Sequence, residues 1–137
     1  MKLMCFSPGS FLHFGTSREL LSLVTEQMEG FRFLDWSPRV HTNAKAPHFA
    51  ASNSYVSKSA QVGAGSYIED SNIHAGSHVG AGSIVSGVTL RGQSVPDGTV
   101  LHGLKLKDGR FVARLYGVDD NPKEASWMGQ PLDGPLW

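Results

Sequence analysis

Six histidines, one cysteine and an Asp-Asp pair hold most of the reactive potential of this chain. His41, His48, His74, His78 and His102 could each act as a general base, because imidazole titrates near neutral pH. His74 and His78 lie four residues apart, and surface histidine is the plainer reading of both. Asp119-Asp120 offers two carboxylates to a cation, although acids in turns are mostly solvated. Cys5 has no second cysteine to pair with, which makes it an incidental thiol. Four further residues suit an anionic ligand. His13 and Thr16 flank a strand-to-helix turn, where backbone N–H groups favour negative charge. Asn121 and Lys123 add a donor and a positive charge in a polar turn. There is no Walker-type loop, no G-x-S-x-G elbow, no His/Cys metal spacing and no dinucleotide fingerprint. The pattern therefore predicts no catalytic residues and no metal ligands.

The elements that hold these residues are announced by a repeat. Val62-Gly-Ala-Gly-Ser66 recurs letter for letter 17 residues later as Val79-Gly-Ala-Gly-Ser83. A looser copy follows at Val95-Pro-Asp-Gly-Thr99. Each copy runs into an apolar pair: Tyr67-Ile68, Ile84-Val85 and Val100-Leu101. Val56, Val62, Ile68, Ile73, Val79, Val85 and Leu90 follow one another at steps of five or six residues. Such a step fits one short strand and one corner, and three of them make a triangular coil. Stacked coils bury their Val, Ile and Leu in rows along the axis. Gly63, Gly65, Gly80, Gly82 and Gly98 fall near corners, where positive φ or close backbone approach is needed. The expected fold is mainly β, a parallel β-helix of about three coils. An antiparallel sheet with glycine turns is the competing fold, and the verbatim repeat argues against it.

The flanks read differently. Ser10 to Phe14 alternates as a strand, Gly15 breaks it, and Thr16-Ser17-Arg18-Glu19 matches a capping box. Leu20, Leu21, Val24 and Met28 share a helical face up to a stop at Gly30. Residues 31–54 form an irregular lead-in with Phe31, Phe33 and Trp36 as packing residues. The β-helix is expected over 55–104, and 105–137 is a hairpin and tail. Asp108-Gly109 between Leu106 and Phe111 is the hairpin signal. The whole chain, 1–137, reads as a single domain with a strand-helix cap over 1–30. Its Gly-Pro-Leu-Trp ending suits a tail that docks on a neighbour or continues into a longer chain.

Composition excludes several classes. Net charge is +0 at pH 7, so no nucleic-acid or anionic-membrane partner is expected. No apolar run reaches the length of a spanning helix. Met1 to Phe6 is too short for a signal peptide. The single cysteine fits a reducing, cytoplasmic setting.

The hexads resemble the left-handed parallel β-helix of hexapeptide-repeat proteins, and the handedness comes from that resemblance alone. The flanking motifs point further. Phe11-Leu-His-Phe-Gly-Thr-Ser-Arg-Glu-Leu20, Val95-Pro-Asp-Gly-Thr-Val-Leu-His102, Arg114-Leu-Tyr-Gly-Val-Asp-Asp-Asn-Pro-Lys123 and Trp127-Met-Gly-Gln-Pro131 resemble the fucose-1-phosphate guanylyltransferase and L-fucokinase family. The match runs from Phe11 to Trp137 in the family's order. The resemblance implies GDP-L-fucose metabolism, in which GTP and L-fucose 1-phosphate give GDP-L-fucose and pyrophosphate. In the full-length enzyme Mg²⁺ neutralises the phosphates, and catalysis is positioning with charge stabilisation. The resemblance covers the β-helix region only. Neither an α/β nucleotidyltransferase domain nor a kinase domain is expected within this sequence, so no catalytic residue is carried over and no cofactor is expected on it.

The expected role is therefore structural, oligomerising or substrate-site-completing. L-fucose 1-phosphate or GDP-L-fucose is the expected ligand, through His13, Thr16, Asn121 and Lys123. The expected partner is another copy of the chain or a nucleotidyltransferase domain. Two other readings stand beside it. A small trimeric acyltransferase would use a solenoid histidine such as His74, His78 or His102 as base. An interaction module would bind a separate nucleotidyltransferase.

Overall fold

The computed structural model describes residues 15–25, 48–121, 123 and 126–131. Short strands separated by glycine- and serine-containing corners build three coils. The first coil is β1 (Ala50–Ser52), β2 (Tyr55–Val56) and β3 (Gln61–Val62). The second is β4 (Tyr67–Glu69), β5 (Asn72–Ile73) and β6 (His78–Val79). The third is β7 (Ile84–Ser86), β8 (Thr89–Leu90) and β9 (Ser94–Val95). Equivalent strands stack in parallel as three sheets, β1-β4-β7, β2-β5-β8 and β3-β6-β9. The chain is thus a parallel β-solenoid of about three turns, as the repeat requires. Its first strand lies ahead of Tyr55.

Register follows the sequence period. Gln61 pairs with His78 and His78 with Ser94. The second step is one residue shorter than the first, and the missing residue falls in the Arg91–Gln93 corner between β8 and β9. The inward rows are those expected: Val56, Ile68, Ile73, Val79, Val85, Leu90 and Val95 are buried in one core, with Ala51 and Val88. Val62 and Leu101 pack against that core, partly buried.

The repeated glycines divide into two kinds. Gly82 takes φ +60°, which only glycine adopts readily, and it has open space around it. Gly80 has no such backbone, but a Cβ there would lie 2.3 Å from the Asp97 nitrogen. Its constraint is the approach of the next coil.

The serine that closes each motif is a structural rung. Ser66 and Ser83 are fully buried. The Ser66 hydroxyl donates to the Gly80 carbonyl at 2.8 Å and accepts the Ser83 N–H at 3.3 Å. The Ser83 hydroxyl donates to the Pro96 carbonyl at 2.9 Å and accepts the Thr99 N–H at 3.1 Å. A second ladder runs from Ser54 to Ser71 to the Val88 N–H at another corner. Each hydroxyl satisfies a backbone group that the corner takes out of the sheet ladder.

β10 (Thr99–Lys105) adds a fourth parallel strand beside β7, then turns back at Asp108-Gly109 into β11 (Phe111–Gly117). This is the expected hairpin. A second, smaller hairpin pairs β12 (Ser126–Trp127) with β13 (Gln130–Pro131). Its two-residue turn, Met128-Gly129, has positive φ at both positions, the primed geometry that suits strand twist.

The helix α1 spans Ser17–Thr25. Leu21 and Leu23 are its buried residues, whereas Leu20 is 38% exposed. The expected apolar face is therefore corrected at Leu20. Leu21 packs with Ile84, Val100 and Val118, flanked by Tyr67 and Tyr116. Tyr67, Ile84, Val100 and Tyr116 form one register row on the outer face of the sheet β1-β4-β7-β10-β11. This explains the apolar pair that ends each repeat. One member points into the core, and the other points outward beneath the helix, so this sheet is buried on both sides there. The expected strand before Gly15, the helix stop at Gly30 and the packing residues Phe31, Phe33 and Trp36 lie outside the described residues, as do Cys5 and the last residues of the tail.

Candidate functional site

The two flanking segments meet on this outer face. At the start of α1 the capping box forms as expected. The Thr16 hydroxyl accepts the Glu19 N–H at 3.1 Å, and the Glu19 carboxylate accepts the N–H groups of Thr16 and Gly15 at 2.9 and 2.7 Å. The cap thus uses the Thr16 hydroxyl and amide within the helix. Arg18, the second residue of the helix, donates from Nε and from its terminal nitrogen to the two carboxylate oxygens of Asp119. Such fork-on-fork geometry fixes orientation as well as charge. Both partners are more than half exposed.

The post-hairpin turn is organised by the neighbouring acid. Asp120 accepts the N–H groups of Gly117 and Met128 at 2.6 Å and of Gly129 at 3.1 Å. It therefore ties the end of β11 to the β12–β13 hairpin. Burial is the largest single influence on its carboxyl and pushes it up, but the three backbone donors together outweigh burial and hold it below the usual carboxylate range. Asp119 is also held below that range, chiefly by its hydrogen bonds from Arg18. Both acids are thus occupied by protein groups, and neither is aimed at a cation. Among the described residues no three His, Cys, Asp or Glu side chains gather as a metal-holding group. No step through Mg²⁺ is assigned to them.

Asn121 is also built into the turn. Its side-chain oxygen accepts the Lys123 N–H at 3.1 Å, and its own N–H donates to the Ser126 hydroxyl at 2.9 Å. Lys123 is exposed. Thr16 lies two residues from Arg18, and Asn121 and Lys123 lie two and four residues from Asp119, so the Arg18–Asp119 pair links the segments that carry them. His13 lies outside the described residues. Trp127 completes the turn region, its indole N–H donating to the Leu115 carbonyl at 2.7 Å.

The three solenoid histidines do not cluster. His74 follows β5 at a corner, stacked at a tilt on Tyr55 with ring centres 5.7 Å apart. His78 lies on the β3-β6-β9 sheet, 3.3 Å from the Gln61 side-chain oxygen. His102 lies on β10 and accepts from Arg114 at 2.7 Å through Nδ1.

A polar row that the sequence reading did not single out runs beside the helix-covered apolar row. Ser52, Glu69, Ser86, His102 and Arg114 are register partners across β1, β4, β7, β10 and β11. The first four are half-buried and Arg114 is exposed. The only signal in the sequence is that Ser52, Glu69, Ser86 and His102 follow one another at the coil period. Among the described residues no helix is long and apolar enough to cross a membrane.

Comparison with known families gives one finding: the model of the fucose pyrophosphorylase domain matches residues 1–134. No curated protein and no solved structure matches the chain significantly.

Proposed function

The chain belongs to the fucose pyrophosphorylase domain family, and from that premise we propose that it is a β-solenoid module that completes a sugar-phosphate site in GDP-L-fucose synthesis without performing the chemistry itself. The observation that carries this reading is the meeting of the two flanking motifs through Arg18 and Asp119. These segments lie outside the repeat, so the stacking of coils does not need them. Fastening them together on one outer face gives a defined edge that a ligand or a neighbouring domain can use.

Within this proposal Lys123 supplies positive charge to the phosphate, and Asn121 holds the turn that presents it. Thr16 keeps the helix start in place, and His13 remains a proposed contact. Mg²⁺ acts in the full-length enzyme, on the phosphates. The partner is a nucleotidyltransferase domain or a second copy of the chain, in the cytoplasm. Exposed apolar side chains on the terminal strand β11, Phe111 at 57% and Leu115 at 39%, suit packing of that kind better than open solvent.

A thermal-shift series tests the reading. GDP-L-fucose or L-fucose 1-phosphate at about 100 times its dissociation constant should stabilise the chain by roughly 2.7 kcal/mol, which is several degrees. A shift with acetyl-CoA and none with fucosyl ligands would replace the proposal with a histidine-dependent acyltransferase.

A further inference from the structure

We propose that the outward row Glu69–Ser86–His102–Arg114 is a binding surface for a monosaccharide phosphate, with the phosphate on His102 and Arg114 and the sugar hydroxyls on Glu69 and Ser86. This site is separate from the Lys123 edge described above, and it rests on that functional reading only for the identity of the sugar.

The row is polar where its neighbour is apolar. Two residues away along each strand, Tyr67, Ile84, Val100 and Tyr116 form the strip covered by Leu21 and Val118. The helix packed on that strip stands beside the polar row, whose members β1 to β10 hold half-buried. Half-burial strengthens polar contacts relative to open solvent.

The two ends of the row have opposite chemistry. At one end, the Glu69 carboxylate accepts the Ser86 hydroxyl at 2.7 Å. The hydroxyl of Tyr67 is pushed up to about 12, first by burial and then by Glu69. It keeps its proton beside a carboxylate with acceptor capacity to spare, and such a carboxylate suits sugar hydroxyls. At the other end, Arg114 donates to His102 Nδ1 at 2.7 Å. Guanidinium can only donate, so Nδ1 accepts and Nε2 carries the ring proton. One donor from the imidazole and the remaining N–H groups of an exposed guanidinium are thus held in one register pair, a set that matches phosphate oxygens.

Spacing sets the ligand size. Adjacent strands lie about 4.8 Å apart, so Ser86 and Arg114, two strands apart, are separated by roughly 10 Å along the row. That is the scale of one sugar ring with a phosphate. A free phosphate would use only the basic end, and a neutral sugar only the acidic end.

Calorimetric titration with L-fucose 1-phosphate, glucose 1-phosphate, inorganic phosphate and L-fucose tests the row, with thermal melts as a folding control. The wild-type chain should bind L-fucose 1-phosphate more tightly than either fragment. R114Q should weaken L-fucose 1-phosphate and inorganic phosphate at least tenfold. E69Q, which keeps an acceptor for Ser86, should weaken the sugar phosphate and leave inorganic phosphate unchanged. Wild-type binding of L-fucose 1-phosphate that neither variant alters would overturn the row and leave the functional reading standing. Arg114-dependent binding of glucose 1-phosphate with none of L-fucose 1-phosphate would support the row and overturn the fucosyl reading. No binding of any of these ligands would overturn the row.

Discussion

Arg18 and Asp119 are 101 residues apart in sequence and joined by two hydrogen bonds between guanidinium and carboxylate. The pair clasps the start of α1 to the turn that follows β11, over a small apolar contact between Leu21 and Val118. The polar clasp sets orientation, and the apolar contact supplies most of the adhesion.

Removing the clasp should loosen the helix without unfolding the solenoid. Exposed ion pairs contribute about 0–1 kcal/mol, so D119N should leave the global urea midpoint almost unchanged. Amide exchange in α1 should accelerate, and by less at high salt. Unchanged exchange in α1 would mean that the helix is held by its buried apolar residues, Leu21 and Leu23, alone. L21A, by contrast, should cost about 2–5 kcal/mol where its loss is felt by the fold as a whole.

Acid should act through the same turn. The carboxyls of Asp119 and Asp120 are both held below their ordinary range. A group depressed in the folded state contributes its full stabilisation above the unfolded value, about 3.9 for aspartate. The contribution fades as pH falls from there through the folded value. Protection of the Met128 and Gly129 amides should therefore be flat at neutral pH and fall in acid below about pH 4. D120N should lower it already at pH 7, because one amide oxygen replaces two carboxylate oxygens. Nuclear magnetic resonance exchange rates at these two amides give the readout.

The two kinds of corner glycine should answer differently to alanine. G82A meets no atom within 4 Å but must hold φ +60°, at a cost of about 1–2 kcal/mol. G80A meets the Asp97 backbone at 2.3 Å, which forces neighbouring coils apart and should cost more. Urea denaturation of both variants measures the difference. Equal costs would refute the close-approach explanation for Gly80.

S83A should be unusually damaging for the loss of one oxygen. It strands the N–H of the fully buried Thr99, and an unsatisfied buried group costs about 1–3 kcal/mol. S94A, on an exposed position of β9, serves as the comparison and should lie within about 0.5 kcal/mol of wild type.

K123A tests the proposed ligand edge. Lys123 is exposed, so the variant should melt with the wild type while binding L-fucose 1-phosphate more weakly. Unchanged affinity would remove Lys123 from the site.

By itself, the sequence determined the solenoid. A five-residue motif repeated verbatim at an offset of 17 residues states which residue stacks on which, because every coil meets its neighbour through the same local geometry. The rows Val56–Ile73–Leu90 and Val62–Val79–Val95 follow directly. The Thr16–Glu19 capping box and the Asp108-Gly109 hairpin were equally legible, because each depends on residues a few positions apart. Only the tertiary structure decided what covers the outer face. A period says that Tyr67, Ile84 and Val100 point outward together, but not that Leu21 and Val118 lie over them. Leu20 showed the same limit, since a nine-residue helix presents several faces and its docking partner selects one. The clasp of Arg18 on Asp119 and the meeting of His102 with Arg114 depend on where non-repeating segments settle. That placement is fixed by contacts between residues distant in sequence, for which no local spacing carries a signal.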